Sequence, residues 1–218
     1  MAFNSFSFWL VFPFIFGIYW LIPAKWNQWR KVFLVVASYL LYMNWKPAFA
    51  LVLLGVTLVT YWGGQIISIE SVDSDQLKTR KRKILVWLFA LLGLLPLLVF
   101  KYYNFLNESL TSGLAAVGLR FAMPGLNWAV PVGISFFTFQ AVGYMLDVYH
   151  GRVKAERNLL DYVLFVSFFP QVTSGPISTA EELMPQVKAT HQFDYEQGKQ
   201  GLKQLLWVCS LSWSLQTA

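Results

Sequence analysis

The residues with chemical potential sit inside apolar sequence. Between Pro131 and Pro176 the chain carries Ser135, Thr138, Gln140, Asp147, Tyr149 and Gln171 within or beside runs of membrane length. Polar groups in lipid are costly unless they are paired, so these must face protein or a wet cavity. Ser135, Thr138 and Gln140 share a helix face only roughly. They either bond between helices or line a channel. Asp147 lies within a turn of the membrane face, and a structural ion pair with Arg152 or a neighbouring helix is expected there rather than catalysis. A histidine titrates near neutral pH and suits general-base work. His150, however, ends an apolar run beside Gly151 and a basic loop, and His191 lies in polar sequence, so both are expected to face solvent. The chain has no HExxH, no phosphate-binding loop, no GxSxG and no zinc spacing. The single cysteine, Cys209, excludes an intrachain disulfide and a multi-cysteine metal site.

The elements that position these groups read as membrane helices. Of 218 residues, 56% are hydrophobic and only 13% charged, against roughly a quarter charged in soluble domains. Apolar runs cover 8–22, 32–45, 48–69, 84–100 and 128–149, several approaching the roughly 20 residues that cross a bilayer. Pro13 and Gly17 interrupt the first run, Lys46-Pro47 separates the second from the third, and Pro96 predicts a kink in the fourth. Gly55, Gly63 and Gly64 either permit close helix contact or are simply tolerated. Segment 70–83 reads as a solvated loop, acidic then basic. Segment 101–120 is either an interfacial helix or a short span. Met123-Pro124-Gly125 is a turn.

The net charge of +6 does not point to nucleic acid, because no basic stripe interleaves with stacking aromatics. It is topogenic. Segments 23–31, 70–83 and 150–158 carry 11 Lys/Arg, whereas 46–47 and 101–127 carry 3. Short basic loops stay cytoplasmic, which predicts an outside N-terminus. After Leu159, the residues Pro170, Gly175 and Pro176 predict a re-entrant half-span over 159–179 rather than a straight crossing. Residues 178–203 are polar and are expected to be interfacial or aqueous.

The combination of 131–140 (PVGISFFTFQ), Asp147 to Gly151 (DVYHG), Phe169-Pro170-Gln171 and Gly175-Pro176-Ile177 resembles the membrane-bound O-acyltransferase family, in its alginate O-acetyltransferase branch. The opening, with Phe3-Asn4-Ser5 and Ala37 to Tyr42, is similar to that branch as well. The likeness runs to about Trp207. It marks Ser135, Gln140, Asp147, Tyr149, Pro170, Gln171, Gly175 and Pro176 as family-motif or tunnel residues. It implies an all-α polytopic membrane protein of the bacterial inner membrane, with re-entrant elements around a tunnel. It also implies acetyl transfer to an exopolysaccharide hydroxyl, acetyl-CoA or another acyl donor as cosubstrate, no bound cofactor, and polysaccharide-acetylation partner proteins beside the bilayer. D-alanyl transfer to teichoic acid, or a non-catalytic membrane subunit or transporter, are the alternatives.

The chain departs from the pattern in three places. His150 stands where Arg or Lys is usual. Val172-Thr173-Ser174 replaces more apolar residues. The family's catalytic histidine is expected beyond Ala218, so residues 1–207 read as the N-terminal part of one membrane domain that is inactive alone. The tail 208–218 is atypical. Codons exist that encode it in one frame and the family's usual Gly-Leu-Phe continuation in the neighbouring frame, so a frameshift near Trp207 is expected.

Overall fold

The computed structural model describes residues 6–44, 46–69, 76–103, 105, 107–109, 111, 130–174, 178–204 and 207. Among them every regular element is helical: α1 (Phe6–Leu21), α2 (Asn27–Met43), α3 (Pro47–Ile69), α4 (Gln76–Leu97), α5 (Ile134–Tyr149), α6 (Leu159–Ser167), α7 (Phe169–Ser174) and α8 (Ala180–Lys188). Residues 195–204 form a further helix, α9. The segments Pro47–Ile69 and Arg80–Tyr102, 23 residues each, are long and apolar enough to cross a membrane. At about 1.5 Å per residue such a helix exceeds the roughly 30 Å hydrocarbon core. This is an all-α membrane protein.

Proline sets two of the boundaries. Pro47 opens α3, where its missing N–H would have had no helical partner anyway. Pro96 falls inside α4, and the ladder widens just beyond it into a π-helical turn at Leu98–Tyr102. A proline cannot donate to the carbonyl four residues back, and a change of bonding register is one way a helix absorbs that loss.

Helix α3 lies at the centre and packs on α2, α4, α5 and α6. Leu53, Val56 and Ile67 of α3 are buried against Phe137, Tyr144 and Met145 of α5 and Tyr162 and Phe165 of α6. Two glycines let the helices approach. A Cβ on Gly63 would meet Met145 and Phe89 at 2.9 Å, and one on Gly64 would meet the Tyr144 ring at 2.9 Å. Gly55 faces open space, so close packing accounts for Gly63 and Gly64 and not for Gly55. On the outer side of α4, Trp87, Leu88, Leu91 and Leu95 are exposed, as a lipid-facing surface requires.

The segment after Leu159 is broken. Asn158 caps α6, its Oδ1 accepting from the Leu160 N–H at 3.0 Å. The helix ends after 9 residues, about 13 Å, too short to cross a bilayer. Phe168 leaves helical geometry at ψ 110°, and Phe169-Pro170 restarts the chain as α7, with proline in its first turn. Helix α8 then packs back onto α6 and α5.

Several expectations are corrected. Arg30 and Lys31 are not loop residues: they sit in the first turns of α2, which begins at Asn27, and both are buried. The basic residues Arg80 to Lys83 belong to α4 rather than to a solvated loop. The 178–203 segment is not wholly polar in setting, because α8 buries Ala180, Leu183 and Met184 against the bundle. Residues 70–75, the 123–125 turn, Gly175, Pro176 and the tail 208–218 lie outside the described residues.

Candidate functional site

The polar interior begins with a buried ion pair. Lys31 Nζ of α2 lies 2.6 Å from Asp161 Oδ1 of α6, with the two side chains 9% and 7% exposed. With both side chains largely withdrawn from water, each charge depends on the other for compensation. Arg30 beside it is also buried. Its Nε and Nη2 donate to the Ile22 carbonyl at 2.8 and 2.5 Å, and its Nη1 donates to the His191 carbonyl at 2.8 Å. Its guanidinium stands over the Tyr19 and Trp20 rings at 5.0 and 5.3 Å. Sequence reasoning assigned Arg30 and Lys31 to charge topology alone and passed over Asp161. The signal for Asp161 was a single carboxylate inside an apolar run.

A second knot holds the connection between α5 and α6. Glu156 is buried although its neighbours Lys154 and Arg157 are exposed. Its carboxylate accepts from the Asn158 N–H at 3.0 Å and pairs with Lys188 of α8. Its own N–H donates to the Tyr144 hydroxyl at 2.8 Å, and its carbonyl accepts from the Gln65 amide. Tyr61 donates to the Arg157 carbonyl at 2.8 Å. The connection is therefore tied to α3, α5 and α8. Arg82 of α4 completes this end, donating to the terminal α5 carbonyl of Tyr149 at 2.7 Å with its guanidinium 4.8 Å from that ring. These bonds gather the residues of the three basic segments at one end of the bundle.

The seam between α3, α5 and α6 is polar, and its Thr57, Thr60, Gln140 and Tyr162 side chains are paired. Tyr162 donates to Thr60 Oγ1 at 2.8 Å, and Thr60 and Thr57 donate to carbonyls one turn back in α3. Gln140 is buried and its Nε2 donates to the Phe165 carbonyl at 3.0 Å. That carbonyl is among the last four of α6 and has no partner within its own helix. Ser38 of α2 likewise accepts from the Phe169 N–H at 3.2 Å, where α7 begins. At the far end Tyr42 donates to the Val132 carbonyl at 2.8 Å. Gly133 adopts φ +72° there, and a Cβ on it would fall 1.8 Å from the Val172 carbonyl oxygen.

The other residues marked by sequence are dispersed. Ser135 is half-buried at the start of α5, and the Thr138 hydroxyl is buried with no hydrogen-bond partner. Asp147 pairs with Arg152 at 3.4 Å, one of the two kinds of partner expected for it. Gln171 donates to Ser178 Oγ at 2.8 Å. Pro170 lines a cavity of about 410 Å³ between α1, α2, α6, α7 and α8. His150 and His191 are both exposed, each ring bonded to a backbone carbonyl at 2.8 Å. Among the described residues no group of His, Cys, Asp and Glu has the makings of a metal site. The bonds gathered here hold helix ends and a broken helix in place, which is positioning rather than bond-making chemistry.

No protein-family profile matches the chain, and no solved structure matches it significantly. Curated relatives do match. The chain is 34% identical over 197 residues to the protein named probable alginate O-acetylase AlgI of Pseudomonas aeruginosa, covering 89% of this chain and 36% of that protein. The same identity over 197 residues relates it to the protein of that name from Azotobacter vinelandii, covering 89% and 38%. A peptidoglycan O-acetyltransferase of Helicobacter pylori is 29% identical over 189 residues, covering 76% and 34%. The chain thus spans little more than a third of the length of the relatives it matches. Its broken α6–α7 segment and its polar seam fall within the sequence that carried the resemblance, and the chain belongs to the membrane-bound O-acyltransferase family, in the alginate O-acetylase branch.

Proposed function

We propose that the protein containing this chain transfers acetyl groups to hydroxyls of an exopolysaccharide such as alginate. The observation that carries this reading is the 34% identity to alginate O-acetylases over nearly the whole chain. The bundle supplies the scaffold. A side chain from a neighbouring helix meets the free backbone groups on each side of the break at Phe168, and this lets irregular backbone persist among membrane helices. In this reading 159–179 is a re-entrant wall of the acceptor or donor passage, with acetyl-CoA or another acyl donor arriving from the cytoplasm. The base that deprotonates the sugar hydroxyl is not His150 or His191, which face away from the seam. The basic end of the bundle lies in the cytoplasm, the N-terminus outside, and the membrane is the bacterial inner membrane, where partner proteins hand on the acetylated polymer.

The test is deletion of the gene followed by assay of ester-linked acetyl on the exopolysaccharide. Loss of acetyl, restored by the native gene, is expected. Unchanged exopolysaccharide with lost acetyl on peptidoglycan would move the acceptor to the cell wall, as the Helicobacter relative's name suggests. Loss of D-alanine esters from teichoic acid would replace acetyl transfer altogether.

A further inference from the structure

The cavity of about 410 Å³ changes character along its depth. Its floor is Phe12 and Phe16 of α1, Leu34 of α2, Leu164 of α6, and Phe168 and Phe169 at the break. Phe12 and Phe169 meet there at 6.4 Å between ring centroids. Its mouth is formed by Asn27, Gln186 and the exposed segment 191–198, with Trp20 and Phe193 in edge contact at 5.1 Å. From Tyr19 at the mouth to Phe12 at the floor is seven residues of helix, about 10 Å. An apolar shaft with a hydrogen-bonding rim is the shape of an amphiphile's site: the tail desolvates on the aromatic floor and the headgroup stays wet.

The charges at the mouth narrow the headgroup. Arg30 is committed to two carbonyls and Lys31 to Asp161. Nearby Lys188 is paired with Glu156, and Lys199 lies 3.9 Å from Glu196. The other polar groups of the rim are the side-chain amides of Asn27, Gln186, Gln192 and Gln197, the His191 ring, bonded to the Gln186 carbonyl, and Asp194, whose Oδ1 accepts from the Glu196 and Gln197 N–H groups. A rim without an uncommitted Lys or Arg favours a neutral or zwitterionic headgroup over an anionic one. The rim also lies at the basic end of the bundle, where a lipid headgroup of the adjoining leaflet sits.

We propose that this cavity holds one acyl chain of a zwitterionic membrane phospholipid, wedged between α1 and the broken helix pair α6–α7. The lipid is a structural ligand and not the acyl donor. It fills a space that the side chains leave open, and it couples α1, which otherwise packs mainly on α2, to the α6–α7 break. This site is separate from the Thr60–Tyr162–Gln140 seam, and its occupancy does not depend on what group the protein transfers.

The experiment uses the purified full-length protein in dodecyl maltoside micelles with a trace phosphatidylethanolamine that carries a diazirine at the end of one acyl chain. After irradiation the adducts are mapped by mass spectrometry. We expect labelling on Phe12, Leu34, Leu164 or Phe169, displaced by unlabelled phosphatidylethanolamine and less readily by phosphatidylglycerol. Leu34→Trp fills the shaft and lowers this labelling about tenfold, a loss of about 1.4 kcal/mol in binding. Val187→Trp does the same from the α8 side, so a folding failure of one variant leaves the other. Leu91→Trp, on the exposed face of α4, leaves labelling unchanged. Adducts confined to exposed residues such as Trp87 and Leu91, or cavity labelling indifferent to both filling variants, overturn the proposal. Stronger displacement by phosphatidylglycerol overturns the headgroup assignment.

Discussion

Lys31 and Asp161 are 130 residues apart in sequence and 2.6 Å apart in the bundle, each side chain less than a tenth exposed. The pair ties the start of α2 to the start of α6, so it sets where the broken segment enters the bundle. Replacing either partner alone strands the other charge away from water. Lys31→Met or Asp161→Leu is expected to cost about 3–5 kcal/mol, whereas the double replacement by apolar residues recovers most of that loss. Unfolding followed in detergent by size-exclusion fluorescence after heating checks it. Single variants as stable as the parent would show that the pair contributes nothing.

Gly133 and Gly151 both have positive φ, +72° and +75°, but only Gly133 is crowded. Gly151→Ala is expected to cost about 1–2 kcal/mol, the penalty of left-handed backbone for a residue with a Cβ. Gly133→Ala adds a clash with the Val172 carbonyl and is expected to abolish the folded protein. Comparing detergent-soluble yields of the two variants tests the difference, and equal yields would contradict it.

Helix α3 offers an internal control for close packing. Gly64→Ala drives a methyl into the Tyr144 ring and is expected to lower stability by about 1–3 kcal/mol. Gly55→Ala enters open space and gains up to about 1 kcal/mol from helix propensity. Opposite shifts in melting temperature are the expected result.

Gln140 and Tyr162 both bond across the seam, yet their removal differs in consequence. Gln140→Leu leaves the Phe165 carbonyl buried without a donor and is expected to cost about 1–3 kcal/mol. Tyr162→Phe leaves Thr60 still bonded within α3, so about 1 kcal/mol is expected. If the α6–α7 break lines the passage, Gln140→Leu also lowers polysaccharide acetylation in cells more than Tyr162→Phe does. Thermal stability and ester content measured on the same pair of variants separate the two effects.

Topology is testable with single cysteines in a Cys209→Ser background. An impermeant maleimide applied to intact spheroplasts is expected to label Lys46→Cys and to spare Lys154→Cys. The reverse pattern would invert the proposed orientation.

Much of the architecture was legible in the sequence because lipid imposes a simple rule. Long apolar runs must be helices, and proline or glycine clusters must mark where those helices stop or deform. On that basis the long apolar helix over 48–69, the break at Lys46-Pro47, the disturbance at Pro96 and the interruption before Pro170 follow from residue order alone. The Asp147–Arg152 contact was legible too, since its partners are close in the chain.

The partners of the buried charges were not legible. Arg30 and Lys31 look alike in a basic stretch, yet one bonds to backbone carbonyls and the other to a carboxylate on a distant helix. Glu156 stands among exposed basic residues and is nevertheless buried under Tyr144 and Lys188. By itself the sequence determined that this is a helical membrane protein with polar groups needing internal partners, because composition and apolar run length act locally along the chain, and its motifs carried the resemblance to the O-acyltransferases. Which groups became those partners was decided only when the helices packed, since a buried charge or an orphaned helix-end carbonyl is satisfied by whatever side chain the tertiary structure brings within 3 Å or so of it.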